Sequence, residues 1–292
     1  MGKDEWLAAQ FEANRGRLRA VAYRMLGSLG EAEDAVQECW LRLGRTDPDG
    51  VGNLAGWLTT VVSRICLDML RSRKARREQS LEDLLADELV DAGGQAGNPE
   101  EEAVLADSVG LAMLVVLGKL SPAERIAFVL HDIFAVSFDE IASIVGKSEA
   151  ASRQLASRAR RRVQGAGTDA ESSAGIASKR ELIDAFLAAS REGDIEALLT
   201  VLDPDVVLRD DRPAVAATVT RGSAAVARQV SIGRAQGACP ALVNGAVGIV
   251  VAPLGRLMFV IEVTFREGRI AGFDLISAPA RLRKMDLAVL GD

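Results

Sequence analysis

The stretch SFDEIASIVGKSEAASRQLASRARRRV, residues 137–163, reads as two short helices joined by a tight turn. Ser137 and Glu140 stand three apart, the spacing of a capping box that opens a helix. Gly146 then stops that helix, as a glycine just past a C-terminus does, and Ser148 can cap the next one. Helix, glycine-containing turn, helix is the helix-turn-helix layout. The second helix carries five arginines against one acid, in a chain whose net charge is −6.

On that second helix Ala151, Leu155, Ala159 and Val163 recur at helical spacing and are expected to face the core. The opposite face presents Ser148, Glu149, Ala150, Arg153, Gln154, Ser157 and Arg158, followed by Arg160, Arg161 and Arg162. A helix in this position enters a DNA major groove with its early residues against base edges. Arginine can bond guanine bidentately and glutamine can do the same with adenine, which makes Arg153 and Gln154 the best base-reading candidates. The arginines at the end suit phosphates or the negative end of the helix dipole. The plainer alternative is a solvated basic face.

A second basic block shifts the balance toward nucleic acid. Residues 64–77 hold Arg64, Arg71, Arg73, Lys74, Arg76 and Arg77 against a single acid, Asp68. Between the two blocks, residues 78–107 hold ten acids and no lysine or arginine, a composition expected of a self-repelling linker, with a short helix at LEDLLADEL. Two cationic helices on one tether bind weakly singly and strongly together, through effective concentration.

Upstream, residues 5–26 are amphipathic. Ser28 and Glu31 have capping-box spacing, predicting a helix that runs through Val36, Trp40, Leu41 and Leu43, with Trp40 and Leu41 in the core. Trp57, with Val61, gives the next helix an apolar face. Downstream, Ser121, Pro122 and Glu124 make a strong helix start. Residues 166–178 read as a second linker, after which Ser178 and Glu181 cap a helix. Three β-rich runs follow: DVVLRDD, GIVVAPLGRLMFVIEVTF and RIAGFDLI. Helices and then strands predict a small α+β domain.

Composition narrows the chemistry. Cys39, Cys66 and Cys239 form no CxxC pair, so neither a zinc site nor a disulfide framework is expected, and they read as small buried fillers. The single histidine, His131, lies in a helical apolar run and reads as a packed or capping residue. No metal, cofactor or catalytic residue is expected. No apolar run approaches the roughly 20 residues of a membrane span, and the charged N-terminus is no secretory signal, so the expected location is the cytoplasm.

Residues 11–163 resemble the bacterial group IV, extracytoplasmic-function sigma factors. GEAEDAVQECWLRL is similar to the region that docks on the polymerase β′ clamp helices. GWLTTVVSRICLDMLRSRKARR resembles the −10-element region, and the segment from LSPAER to RARRRV the −35-reading region. The resemblance implies RNA polymerase core, through its β′ and β subunits, and promoter DNA as partners. Core contacts would be Asp34, Gln37, Glu38 and Arg42. The −10 contacts would come from Arg64, Asp68, Arg71, Arg73, Lys74, Arg76 and Arg77, and the −35 contacts from Ser148, Glu149, Arg153, Gln154, Ser157, Arg158 and Arg161. Arg64 stands where many members have an asparagine. No classical anti-sigma partner is evident.

Residues 179–287 resemble the SnoaL-like, NTF2-type cone, which in a fused subgroup of sigma factors regulates in cis. Asn244, Gly245 and Gly248 match that subgroup's Asn-Gly-x-Pro-Gly motif, with Val247 where proline is usual. Asp274, the one acid inside an apolar run, reads either as lining a pocket in the cone or as a plain charge at a strand edge, and the domain reads either as a cone for a small-molecule ligand or as a structural brace between the helical domains. The expected fold is therefore multidomain. Two all-α sigma domains, 5–77 and 107–165, are joined by a linker at 78–106; a linker at 166–178 leads to an α+β cone at 179–287. Two other readings stand beside it: a one-component ligand-sensing helix-turn-helix regulator, which has no use for a docking surface near residue 34, and a cyclase- or isomerase-like enzyme, against which the missing histidine argues.

Overall fold

Ser121 and Ser137 each open a helix with both halves of a capping box in place. The serine hydroxyl accepts from the backbone N–H of Glu124 or Glu140, and the glutamate carboxylate accepts from the serine N–H. These starts are seen in a computed structural model that describes residues 3–46, 52–83, 110–165, 173–211, 218–233, 235 and 237–290. The chain forms two compact units, residues 1–105 with 117–160, and residues 106–116 with 161–292.

In the first unit, α1 (Lys3–Leu26), α2 (Leu29–Leu43) and α3 (Leu54–Asp83) pack on one another. Their core includes Phe11, Leu18, Tyr23, Met25, Val36, Leu58 and Leu67. α4 (Leu111–Lys119), whose residues 111–116 belong to the second unit, precedes α5 (Pro122–Phe128), which runs into a π-helical turn at Val129–Ile133. Then come α6 (Phe138–Val145), the left-handed Gly146 at φ 69°, and α7 (Glu149–Gln164). Ser148 accepts from the Ala151 N–H, as the cap reading requires. Both α5 and α6 pack against α3, so the two helical modules form one body rather than two spaced ones.

The second unit is a seven-stranded sheet in the order β2-β1-β6-β5-β4-β3-β7. Its strands are β1 (Leu202–Asp210), β2 (Thr218–Arg221), β3 (Ala238–Val243), β4 (Ala246–Val251), β5 (Phe259–Arg266), β6 (Arg269–Ile276) and β7 (Leu287–Ala288). Among the described strands only β1 and β6 run parallel. Helices α8 (Ser173–Glu192), α9 (Ile195–Val201) and α10 (Ser223–Gly233) supply the apolar layer, and α11 (Pro279–Lys284) leads into β7. Phe186 of α8 meets Phe273 of β6 with ring centroids 4.9 Å apart, amid Ile183, Val206, Ile249 and Ile270.

Several expectations fail for local reasons. Ser28 makes no side-chain cap, and the Glu31 carboxylate that would complete the box pairs with Arg73 instead. α8 begins at Ser173, so Ser178 and Glu181 lie inside it; Ile176 packs on the core and extends the helix upstream. Residues 78–83 continue α3, and the rest of the acidic segment, 84–109, lies outside the described residues, as do 166–172. Trp40 and Leu41 are not core: they are 36% and 48% exposed. The buried stripe of α2 is Ala32, Val36, Cys39 and Leu43, and both bulky residues sit off it.

Candidate nucleic-acid and polymerase interfaces

α7 separates its two faces cleanly. Ser152, Leu155, Ala156, Ala159 and Val163 are buried, while Glu149, Arg153, Gln154, Ser157, Arg158 and Arg161 are exposed, with the cap Ser148 beside them. The helix-turn-helix therefore presents the whole predicted strip on one side. Two of its cations are partly committed inside the unit. Arg158 lies 3.5 Å from the buried carboxylate of Glu124, and Arg160 donates to Asp132 at 2.8 Å through Nε. Arg160 is thus a brace between α7 and the π turn rather than a free phosphate contact. Arg153 pairs with Glu149 one turn back and lies over the Phe138 ring, 5.5 Å from its centroid.

On α3, Arg64, Asp68, Arg71 and Lys74 recur at helical spacing and are all exposed, forming a second charged stripe. Asp68 sits 3.8 Å from Arg71. Arg73 departs from the group: its guanidinium pairs with Glu31 and donates to the Leu26 carbonyl, tying α3 to α2 and α1. Arg76 is exposed over the groove between α2 and α3, and the side chain of Arg77 lies outside the described residues. Arg64 donates through Nη2 to the Ser143 carbonyl on α6 at 3.2 Å, so this −10 candidate is engaged by the helix-turn-helix. Nearby, Arg125 of α5 is 6% exposed and donates to the Arg24 carbonyl at 3.2 Å, while Arg24 lies over Phe134. Trp57 is half-buried, consistent with a packing residue.

The exposed side of α2 brings together Asp34, Gln37, Glu38 and Arg42, the last two bonded to each other at 3.0 Å. Trp40 and Leu41 join them, and Trp40 also touches Phe11 of α1 at 5.0 Å. Sequence reasoning missed these two as surface residues, although the Ala32-Val36-Cys39-Leu43 stripe leaves them off the core face.

In the second unit, Asn244 and Gly245 form the β3–β4 turn with φ of 51° and 84°, the left-handed pair that a tight hairpin demands. A Cβ on Gly248 would stand 2.8 Å from the Ile261 carbonyl oxygen, so the neighbouring strand excludes any side chain there. Asn244 also holds the tail. Its N–H donates to the Asp286 carbonyl at 2.8 Å, its Oδ1 accepts from the Asp286 N–H at 3.1 Å, and its Nδ2 donates to Glu262 at 3.0 Å. Just beyond, the Val289 N–H donates to the Val163 carbonyl at the end of α7, 2.8 Å away. Asp274 is not an acid isolated in a pocket. It is partly exposed and accepts from its register neighbour Arg209 at 3.1 Å.

Comparison with known proteins agrees with this layout. Residues 10–76 match the family Sigma-70 region 2, and residues 111–163 match Sigma-70, region 4. The chain is 39% identical over 289 residues to the ECF RNA polymerase sigma factor SigJ of Mycobacterium tuberculosis, covering 93% of this chain and 91% of that one. It is 40% identical over 206 residues to the probable ECF sigma factor SigI of the same species, covering 70% of each. The crystal structure of M. tuberculosis SigJ aligns over 94% of this chain and 98% of that one, with 32% identity and a TM-score of 0.45. The helical sigma regions, the helix-turn-helix and the mixed-sheet C-terminal domain place this chain among the extracytoplasmic-function sigma factors of bacterial RNA polymerase.

Proposed function

We propose that this sigma factor reads the −35 element with α7 and the −10 element with the Arg64-Asp68-Arg71-Lys74 stripe of α3, while the exposed face of α2 docks on the polymerase core. The observation that carries the reading is the single exposed strip of α7, with Arg153 and Gln154 at its centre and Leu155, Ala156, Ala159 and Val163 turned inward. Trp40 and Leu41 add apolar contact to Asp34, Gln37, Glu38 and Arg42, as a docking face needs. The family is not generally enzymatic: the protein supplies recognition and the polymerase makes RNA. Stacking and hydrogen bonding of trapped bases offset the few kcal/mol that unstacking each base costs. The work is done where promoters are, in the cytoplasm; no described helix is long and apolar enough to cross a membrane.

The C-terminal domain tunes this activity in cis. Support comes from the tail, which Asn244 clamps and which bonds the end of the DNA-reading helix. The test is run-off transcription with purified protein, core polymerase and a promoter library. Initiation at one promoter class, with Arg153→Ala costing about 1–3 kcal/mol at a single −35 position, is the expected result. Transcripts unchanged by adding the protein would overturn it.

A further inference from the structure

We propose that Phe138 and His131 are positioning residues for Arg153, holding its guanidinium in place before a base edge arrives. The proposal deepens the −35 assignment of α7 and rests on it. Phe138 is the first residue of α6, set directly after the N-cap Ser137. Its half-buried ring stacks on the His131 imidazole, with centroids 3.9 Å apart and planes 29° from parallel. His131 is itself fixed. It sits in the π turn, and its Nδ1 lies 3.1 Å from the Val136 carbonyl, to which it donates a hydrogen. The chain reverses there through Ala135 at φ 55°, and the Val136 N–H returns to the Leu130 carbonyl. A backbone turn thus holds an imidazole, the imidazole holds a phenyl ring, and the ring lies under Arg153.

A free arginine side chain carries about 2 kcal/mol of rotamer entropy, which a bidentate base contact must remove. Two contacts restrict Arg153 in advance: the Glu149 carboxylate and the Phe138 ring. They differ in what they leave available. Glu149 occupies N–H donors that a guanine would need, so that pair must loosen on DNA. The ring takes the cation through its π face and leaves the N–H fork free, so it can persist in the complex. A half-buried residue needed only for packing would be served equally by leucine.

The test uses the whole protein with core polymerase on promoters substituted at each −35 position. Phe138→Leu is expected to lower discrimination at the one base pair read by Arg153 by about two- to fivefold, with discrimination elsewhere and the thermal midpoint unchanged. Phe138→Tyr keeps the π face and should retain the parent pattern. Phe138→Leu should add nothing in an Arg153→Ala background. If Phe138→Leu fails to fold, Phe138→Met serves in its place. If Arg153→Ala flattens one position and Phe138→Leu leaves that position untouched, the positioning role is wrong. If Arg153→Ala weakens all promoters equally, the base-reading assignment fails instead.

Discussion

Arg125 keeps a guanidinium where only 6% of the residue meets solvent, and its pKa is pulled down to about 10. Burial is the main cause and the nearby Arg73 cation the second; Cys66 and Glu31 act the other way. Such a group is held by its neighbours more than it holds them. The cysteines show the same physics with the opposite sign. Burial pushes the thiols of Cys39 and Cys239 up to about 11 and that of Cys66 up to about 12. Iodoacetamide at pH 8 is therefore expected to leave all three unmodified in the native protein and to label them once denaturant is added, as intact-mass spectra will show. The wide spacing of these cysteines told against paired chemistry; Cys39 and Cys66 are buried fillers as expected, whereas Cys239 on β3 is only part-buried. The sequence did not tell that Arg125 is buried, because nothing local marks that one arginine as facing residues a hundred positions away.

Elements add what single residues lack. The capping box at Ser137 fixes where α6 starts, and with it the angle of the turn that aims α7. Ser137→Ala is expected to cost about 1 kcal/mol, read as a lower denaturation midpoint. Across the sheet unit, the Arg266 fork binds Asp203 on β1 at 2.7 and 3.1 Å and holds its carboxyl below the usual carboxylate range; the Asp205 N–H assists. A depressed carboxyl stabilises the fold above its unfolded-state pKa and loses that effect as pH falls through the folded value. Asp203→Asn should thus be less stable than the parent at pH 7, with the gap closing in acid, a difference that urea titrations at several pH values will measure. Boxes with serine and glutamate three apart were legible where the glutamate had no better partner. At Ser28–Glu31 the carboxylate goes to a cation from α3 rather than back to the N-cap, a tertiary pairing that spacing cannot express.

At the scale of the whole molecule, the packing of α5 and α6 on α3 bears on function. Under the proposed −10 role Arg64 would have to release the Ser143 carbonyl to hold promoter DNA, so that proposal requires the helical modules to part before −10 capture. Cysteines placed at 64 and 143 in a Cys239→Ser background and joined by a short bismaleimide are expected to abolish initiation, while the same variant without the linker retains it in part; the native Cys39 and Cys66 thiols are buried and stay out of the reaction. The order of modules and the α+β character of the last one were readable from runs of helical and then strand periodicity. Their association was not, since the contacts join distant residues of ordinary type, and neither was the role of Asn244, whose two partners lie 18 and 42 positions away.

The bond from Val289 to Val163 gives the C-terminal domain a seam. Two stretches of backbone 126 positions apart are stitched there, so the end of α7 and the residue after β7 share one anchor. Residues 106–116 belong to the same compact unit. The unit is therefore assembled from two separate stretches of chain, and cutting it out after α7 would leave one of them behind.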